Sequence, residues 1–203
     1  MKLTKLLIAL LISANCHSQN PLSLWSSSWD NKVFDVCNTA KDANYMTQRE
    51  KDVIWVLNCM RSHPSVFFQT VVLYWDYPAR YSSVREKEEY KSLIEFFKKI
   101  EPVDILYPDS LAFLSAKTRA EEYPSHTGYN RTTKIGKDNR CYCSENISYN
   151  SFESVDIIMD FMVDINNPNY GHRKDLMYLN HSAIGVAIRK QNPGFFASII
   201  DLQ

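Results

Sequence analysis

The chain has 203 residues, 23 of them basic and 23 acidic, and a formal charge of zero. That length can bury a core without help from metals or crosslinks, so one domain, or one domain with an arm, is expected. The charge balance lacks the basic excess of a nucleic-acid binder, which excludes nucleic acid as a principal partner.

Lys2 and Lys5, the apolar run Leu6 to Ile12 and the small residues from Ser13 to Ser18 have the form of an export signal. Residues 1–18 are therefore expected to be a signal peptide cleaved after Ser18, giving a secreted or periplasmic protein. The apolar run is too short to cross a bilayer and no other run is longer, so no transmembrane span is expected. A lipid anchor on Cys16 is the rival reading, disfavoured by Asn15 before it. Loss of the two lysines leaves the remainder slightly acidic, with four cysteines: Cys37, Cys59, Cys141 and Cys143. Export permits disulfides, and four cysteines can pair in more than one way. A direct Cys141 to Cys143 link closes a tight loop, so each is expected to pair with Cys37 or Cys59. The alternative is that some are free buried thiols, which pack as small hydrophobes.

Residues 19–46 mix Trp25, Trp29, Phe34 and Cys37 with serines and asparagines without a period, and read as an irregular N-terminal arm. Thr47 and Glu50 have capping-box spacing, and Val53, Val56, Leu57 and Met60 share one face, which predicts a helix over 48–62. His63-Pro64 ends it, and Pro64 can open a second helix over 65–74 with Val66, Phe67 and Val71 inward. Residues 77–81 read as a loop. Tyr90, Leu93, Ile94, Phe97 and Ile100 predict a helix over 83–100 whose charges form a solvated face. Pro102 and Pro108 bracket a short extended piece. Asp109 can cap a helix over 110–122 that buries Leu111, Leu114 and Thr118, with Ala112 and Ala116 allowing close packing. Residues 123–143 form a long polar loop, the kind that is usually functional or mobile. Phe152, Val155, Ile158, Met159 and Met162 predict the last helix, over 151–165. Two β-rich runs, 183–189 and 195–201, flank Gln191-Asn192-Pro193-Gly194 and predict an antiparallel hairpin. Helices first and strands last make the fold class α+β.

The residues that can carry chemistry are scattered. His126 and His172 with nearby carboxylates can hold zinc in a partly open site, or act as an acid and base pair. Both histidines can equally be structural. Glu145, ahead of apolar Ile147, either aims into a cleft or caps a loop. Asp160 and Asp164 stand four apart on one helix, and Arg173 can pair with a carboxylate.

The ordered strings His126-Thr127-Gly128, Ser144-Glu145-Asn146-Ile147, Phe161-Met162-Val163-Asp164, Gly171-His172-Arg173 and Ala183-Ile184-Gly185-Val186 resemble the CAP superfamily of cysteine-rich secretory, antigen 5 and pathogenesis-related proteins. The bacterial, extracellular SCP-like branch is the nearest likeness, and Leu57-Asn58-Cys59-Met60-Arg61 resembles its first helix. The resemblance covers roughly residues 47–203. It implies a three-layer α-β-α sandwich with a small antiparallel sheet. His126 and His172 would be metal ligands, and Glu145 and Asp164 the groove acids. Residues 75–108 would be an insertion. Ser144, Asp164 and Ala187 depart from the pattern: glycines are usual at the first and last of these, and a glutamate in many eukaryotic members at Asp164.

The expected function is a secreted binding module for an extracellular protein, peptide or lipid, whose groove takes zinc or another divalent cation. The alternatives are a metal-assisted hydrolase with Glu145 as its base, and a lipid or sterol carrier.

Overall fold

The computed structural model of the chain describes residues 19–76, 83–122, 144–149, 151–191 and 196–203. His126, Cys141 and Cys143, the turn at 192–195 and the expected signal peptide lie outside the described residues.

The helices form in chain order as α1 (Asn31–Cys37), α2 (Gln48–Ser62), α3 (Pro64–Phe67), α4 (Glu88–Phe97), α5 (Ser110–Glu122), α6 (Ser154–Val163) and α7 (Gly171–Leu176). The strands are β1 (Tyr107–Pro108), β2 (Ser144–Tyr149), β3 (Ala183–Lys190) and β4 (Phe196–Leu202). They make one sheet in the order β1-β3-β4-β2. The pairs β3–β4 and β2–β4 are antiparallel, whereas β1 runs parallel to β3. The class is α+β, as composition and periodicity predict, but the sheet is mixed rather than wholly antiparallel. The piece between the two prolines supplies the parallel edge, where Pro108 needs no ladder donor.

Strand alternation sorts the sheet's side chains into two sets. Gly185, Ala187, Ile199 and Ile147 face α5, and with Ala116 and Ala120 the larger of them form a small separate core. Ile184, Val186, Ile200 and Leu202 face the main core with α2 and α6. The α5 surface that packs on the sheet is Ala112, Phe113, Ala116 and Ala120, while the expected Leu111 and Leu114 are exposed and Thr118 is only partly buried. The reason is Gly185: a Cβ there would lie 2.1 Å from the backbone at Ala112 and Phe113, so helix and sheet touch main chain to main chain. Only small side chains fit such a seam, and the leucines are turned outward.

The main core is built on α2. Its capping box is complete, with Glu50 Oε2 accepting from the Thr47 amide at 2.7 Å and the Thr47 hydroxyl from the Glu50 amide. Oε1 of the same buried carboxylate accepts from the Ile188 amide at 3.0 Å and from Arg189 at 2.6 Å. One glutamate thus starts a helix and ties it to β3. Asn58 and Arg61 are fully buried on α2. The Asn58 amide donates to the carbonyls of Cys37 and Leu106, and its oxygen accepts from the Leu106 amide at 2.8 Å. The Leu-Asn-x-x-Arg string is therefore a pair of buried backbone clamps.

The arm is not irregular. Residues Ser23–Ser28 form a 3₁₀ turn and Asn31–Cys37 a helix capped by Asp30, whose side chain accepts from the Lys32 amide. Trp29 stacks on Phe34 with ring centres 5.5 Å apart, and Phe34 meets the edge of Trp55. These aromatics pack against Trp55 of α2 and His63 beyond its end, and Trp29 Nε1 donates to the Thr70 hydroxyl, burial that no local period announces. The second helix is also shorter than expected: after α3 the chain takes a π-type turn over Phe68–Val72. The helix expected over 83–100 is a 3₁₀ turn, Val84–Glu86, and then α4. The helix expected over 151–165 begins at Ser154, so Phe152 lies before it and stacks on Phe196 at 4.1 Å instead.

Candidate functional site

The turn between α6 and α7 holds the described polar group that is best built for a ligand. Asp164, Asn166 and Tyr170 all take positive φ, at 58°, 64° and 49°. Three such residues in one short turn are uncommon without glycine, and strain of this kind is held only where surrounding contacts impose it. Asp164 caps α6 in the left-handed conformation, its amide donating to the Asp160 carbonyl at 2.9 Å. That conformation turns its carboxylate toward α7. Oδ1 accepts from His172 Nδ1 at 2.8 Å, and Oδ2 from the His172 amide at 3.0 Å and the Asn167 amide group at 3.2 Å. A carboxylate only accepts, so Nδ1 is the donor in this contact, and Nε2 is the ring nitrogen left to face a ligand. The ring lies edge-on to Phe161 at 5.3 Å, and the side chain is about a third exposed.

Arg173, next to that histidine, is not a surface arginine, and among the described residues no carboxylate lies within ion-pair distance of it. It is buried, with its guanidinium donating to the carbonyls of Met162, Val163 and Glu89 and to the Ser92 hydroxyl. Tyr170 lies against its face at 4.3 Å. Arg173 thereby fastens α7 to the end of α6 and to α4, which keeps His172 and Asp164 in register. The segment expected to be an insertion is part of that support.

Glu145 does not join the pair. In β2 it lies on the face toward α5, with Arg119 Nε at 3.5 Å, while the next residue, Asn146, points the other way and donates to Asp175 of α7 at 2.6 Å. The sheet therefore separates Glu145 from the layer that carries α7. Asp160 also turns away, accepting from the hydroxyls of Ser148 and Ser151. Of the four groove residues expected from the resemblance, His172 and Asp164 are brought together, Glu145 is set apart, and His126 lies outside the described residues.

Two residues to which the sequence alone assigns no chemical role meet here, Asp175 on α7 and His181 beyond it. His181 Nε2 is 2.9 Å from Asp175 Oδ1 and 3.4 Å from Ser144 Oγ. Acid and hydroxyl meet the same ring nitrogen, so the imidazole cannot relay a proton between them as a catalytic triad requires. Proximity to the Gly-His-Arg string was the signal available for Asp175; no motif marked His181.

Across from Glu145 in the β2–β4 ladder sits Asp201, 1% exposed, with Oδ1 lacking a hydrogen-bond partner among the described residues. Burial pushes its carboxyl up to about 7; the Glu145 charge adds to the rise, and Ser115 and Arg119 oppose it. A carboxyl raised above its unfolded value stabilises the fold while protonated. Its contribution is full below about pH 4 and is lost as pH rises through about 7. Urea unfolding followed from pH 5 to pH 8.5 is expected to show stability falling by roughly 2–4 kcal/mol. Asp201→Asn should flatten that decline and be the more stable protein at the alkaline end. An unchanged slope in the variant would assign the titration to another group.

Among the described residues no group of three or more histidine, cysteine or acidic side chains is placed to hold a metal ion. A cavity of about 730 Å³ lies between the 3₁₀ turn at Ser23–Ser28 and the start of α6. Asp52, Asp76, Glu153 and Asp156 line it with Trp25 and Tyr74, and it does not include His172. No helix of the described residues is long and apolar enough to cross a membrane. Comparison with family models and with curated proteins finds no match for the chain.

Proposed function

We propose that the chain is an exported binding module of CAP type, a three-layer α-β-α sandwich in which His172, held by Asp164, is the polar anchor for a ligand or a divalent cation. The observation that carries this reading is the double grip of Asp164 on the ring and main chain of His172. Metal-binding histidines characteristically give their second ring nitrogen to a carboxylate, which sets the tautomer and raises the basicity of the ligating nitrogen. The described residues supply one prepared imidazole and not a full ligand set, so no catalytic step through a metal is derived. The ordered motifs and the helices on both faces of the sheet support the family reading.

A binding module is favoured over a hydrolase by the position of Glu145. A base must stand within hydrogen-bond reach of the water it activates. Here the strand pleat directs Glu145 to Arg119 on α5, while His172 belongs to the opposite layer. A lipid carrier has less support, because four carboxylates line the 730 Å³ cavity and make it a poor sleeve for an acyl chain.

The test is calorimetric titration of zinc into metal-stripped protein. Saturable binding is expected, abolished in His172→Ala and weakened about tenfold in Asp164→Asn. Asparagine accepts the left-handed conformation of position 164, so the second variant changes the charge and leaves the backbone alone. Binding unaffected by both changes would remove His172 from the site. No binding by the parent protein would remove the cation from the function.

A further inference from the structure

We propose that Cys37 and Cys59 are the partners of a disulfide that staples α1 to α2. Export was expected to pair each of them with Cys141 or Cys143; the helix packing assigns them to one another. Cys37 ends α1, and both thiols are buried, at 1% and 0% exposure. Cys37 Sγ lies 3.3 Å from the hydroxyl of Ser62. Ser62 is one helical turn beyond Cys59 on the same face of α2. The main chain is held at the same point, since the side chain of Asn58 donates to the Cys37 carbonyl at 3.1 Å. Both carry free thiols in the structure, so the bond is one the packing prepares.

The oxidant is a disulfide, either a small molecule such as glutathione disulfide or a protein dithiol oxidase. The Cys37 thiolate attacks one of its sulfurs and releases the other as a thiolate. Cys59, deprotonated, then attacks the mixed disulfide at the Cys37 sulfur, forming the Cys37–Cys59 bond and releasing the second thiolate. Two protein thiols have lost two electrons and two protons, and one disulfide has become two thiols. Burial of both sulfurs places the reaction before α1 docks, during folding rather than after it.

The crosslink would anchor the segment of roughly twenty residues between the cysteines, including the turn at Thr39 whose hydroxyl donates to the Leu106 carbonyl at 2.8 Å. It would also secure α1 despite its brevity. The test uses the full chain, unfolded and refolded in a glutathione redox buffer, then alkylated, digested and mapped by mass spectrometry. The expected result is one crosslinked species joining the peptides of Cys37 and Cys59, two hydrogens lighter than their sum, with neither cysteine alkylated. Reduction should lower the melting temperature by roughly 5–10 °C, and the Cys37→Ser/Cys59→Ser double variant should show no such difference. Recovery of both cysteines alkylated, or a link from either to Cys141 or Cys143, overturns the assignment. Zinc titration of the refolded protein reads the His172 proposal separately, since neither cysteine belongs to that site.

Discussion

Replacing Arg61 with Ala is expected to leave no stably folded protein. The side chain is fully buried and its donors serve four carbonyls. Nε donates to Asp104 at 2.8 Å, Nη1 to Leu176 at 2.5 Å, and Nη2 to Tyr178 at 3.2 Å and His181 at 3.4 Å. Burial lowers its pKa to about 10, with Asp104 and Asp175 opposing the fall, so it remains charged at neutral pH. Removing it strands these acceptors at about 1–3 kcal/mol each and opens a cavity the size of the side chain. The sum is comparable with the whole stability of a domain, about 5–15 kcal/mol. Arg61→Lys keeps the charge and loses the planar fork, so it is expected to fold with roughly 3 kcal/mol less stability. Urea titration followed by circular dichroism measures both. An Ala variant with a midpoint near that of the parent would mean that water or neighbouring groups replace the guanidinium. Arg61 also has a functional reach: three of its carbonyl partners, at Leu176, Tyr178 and His181, lie between the end of α7 and β3, so its loss should disturb His172 as well.

The second large effect is expected at Gly185. An added Cβ would lie 2.1 Å from the backbone of Ala112 and Phe113, and backbone cannot turn aside as a side chain tip can. Nor can α5 slide: the Asp109 amide donates to the Ile184 carbonyl at 2.9 Å, and Asp109 Oδ1 caps the helix through the amides of Leu111 and Ala112. Gly185→Ala is therefore expected to destabilise by about 3 kcal/mol or more, at the upper end of overpacking costs. Ala187→Gly, on the same face, removes one methyl from the small core and should cost only about 1 kcal/mol. Thermal melting of the two variants compares them directly. Equal and small shifts would place α5 farther from β3 than described.

Several features were legible without coordinates because their signals are local. The Thr47–Glu50 capping box, the apolar face of α2, the Asp109 cap and the β3–β4 hairpin each rest on residues within a few positions of one another. The clustering of His172 with Asp164 was partly legible, since both strings flank one turn. What carried no local signal were the short elements: α1, β2 and α7 are too brief to show a period. The inward side of α5 was misread because leucine ordinarily marks the buried stripe, and only the contact with Gly185 makes alanine the residue that fits.

The candidate site divides along the same line. The residue types and their order along the chain suffice to nominate His172, Asp164 and Glu145, and to suggest that Asn58 and Arg61 matter. Which of them meet is decided by the pleat of β2 and the left-handed cap at Asp164. The first sends Glu145 to Arg119 and Asn146 to Asp175; the second swings a carboxylate onto His172. The cysteines follow the same rule, since the sequence leaves their pairing open, whereas the packing of α1 on α2 sets Cys37 beside Ser62, one turn beyond Cys59. Composition, capping and hydrophobic period belong to the sequence because they depend on neighbours along the chain. The face a strand residue occupies and the partner it finds are set by tertiary packing, where a shift of one position reverses the outcome.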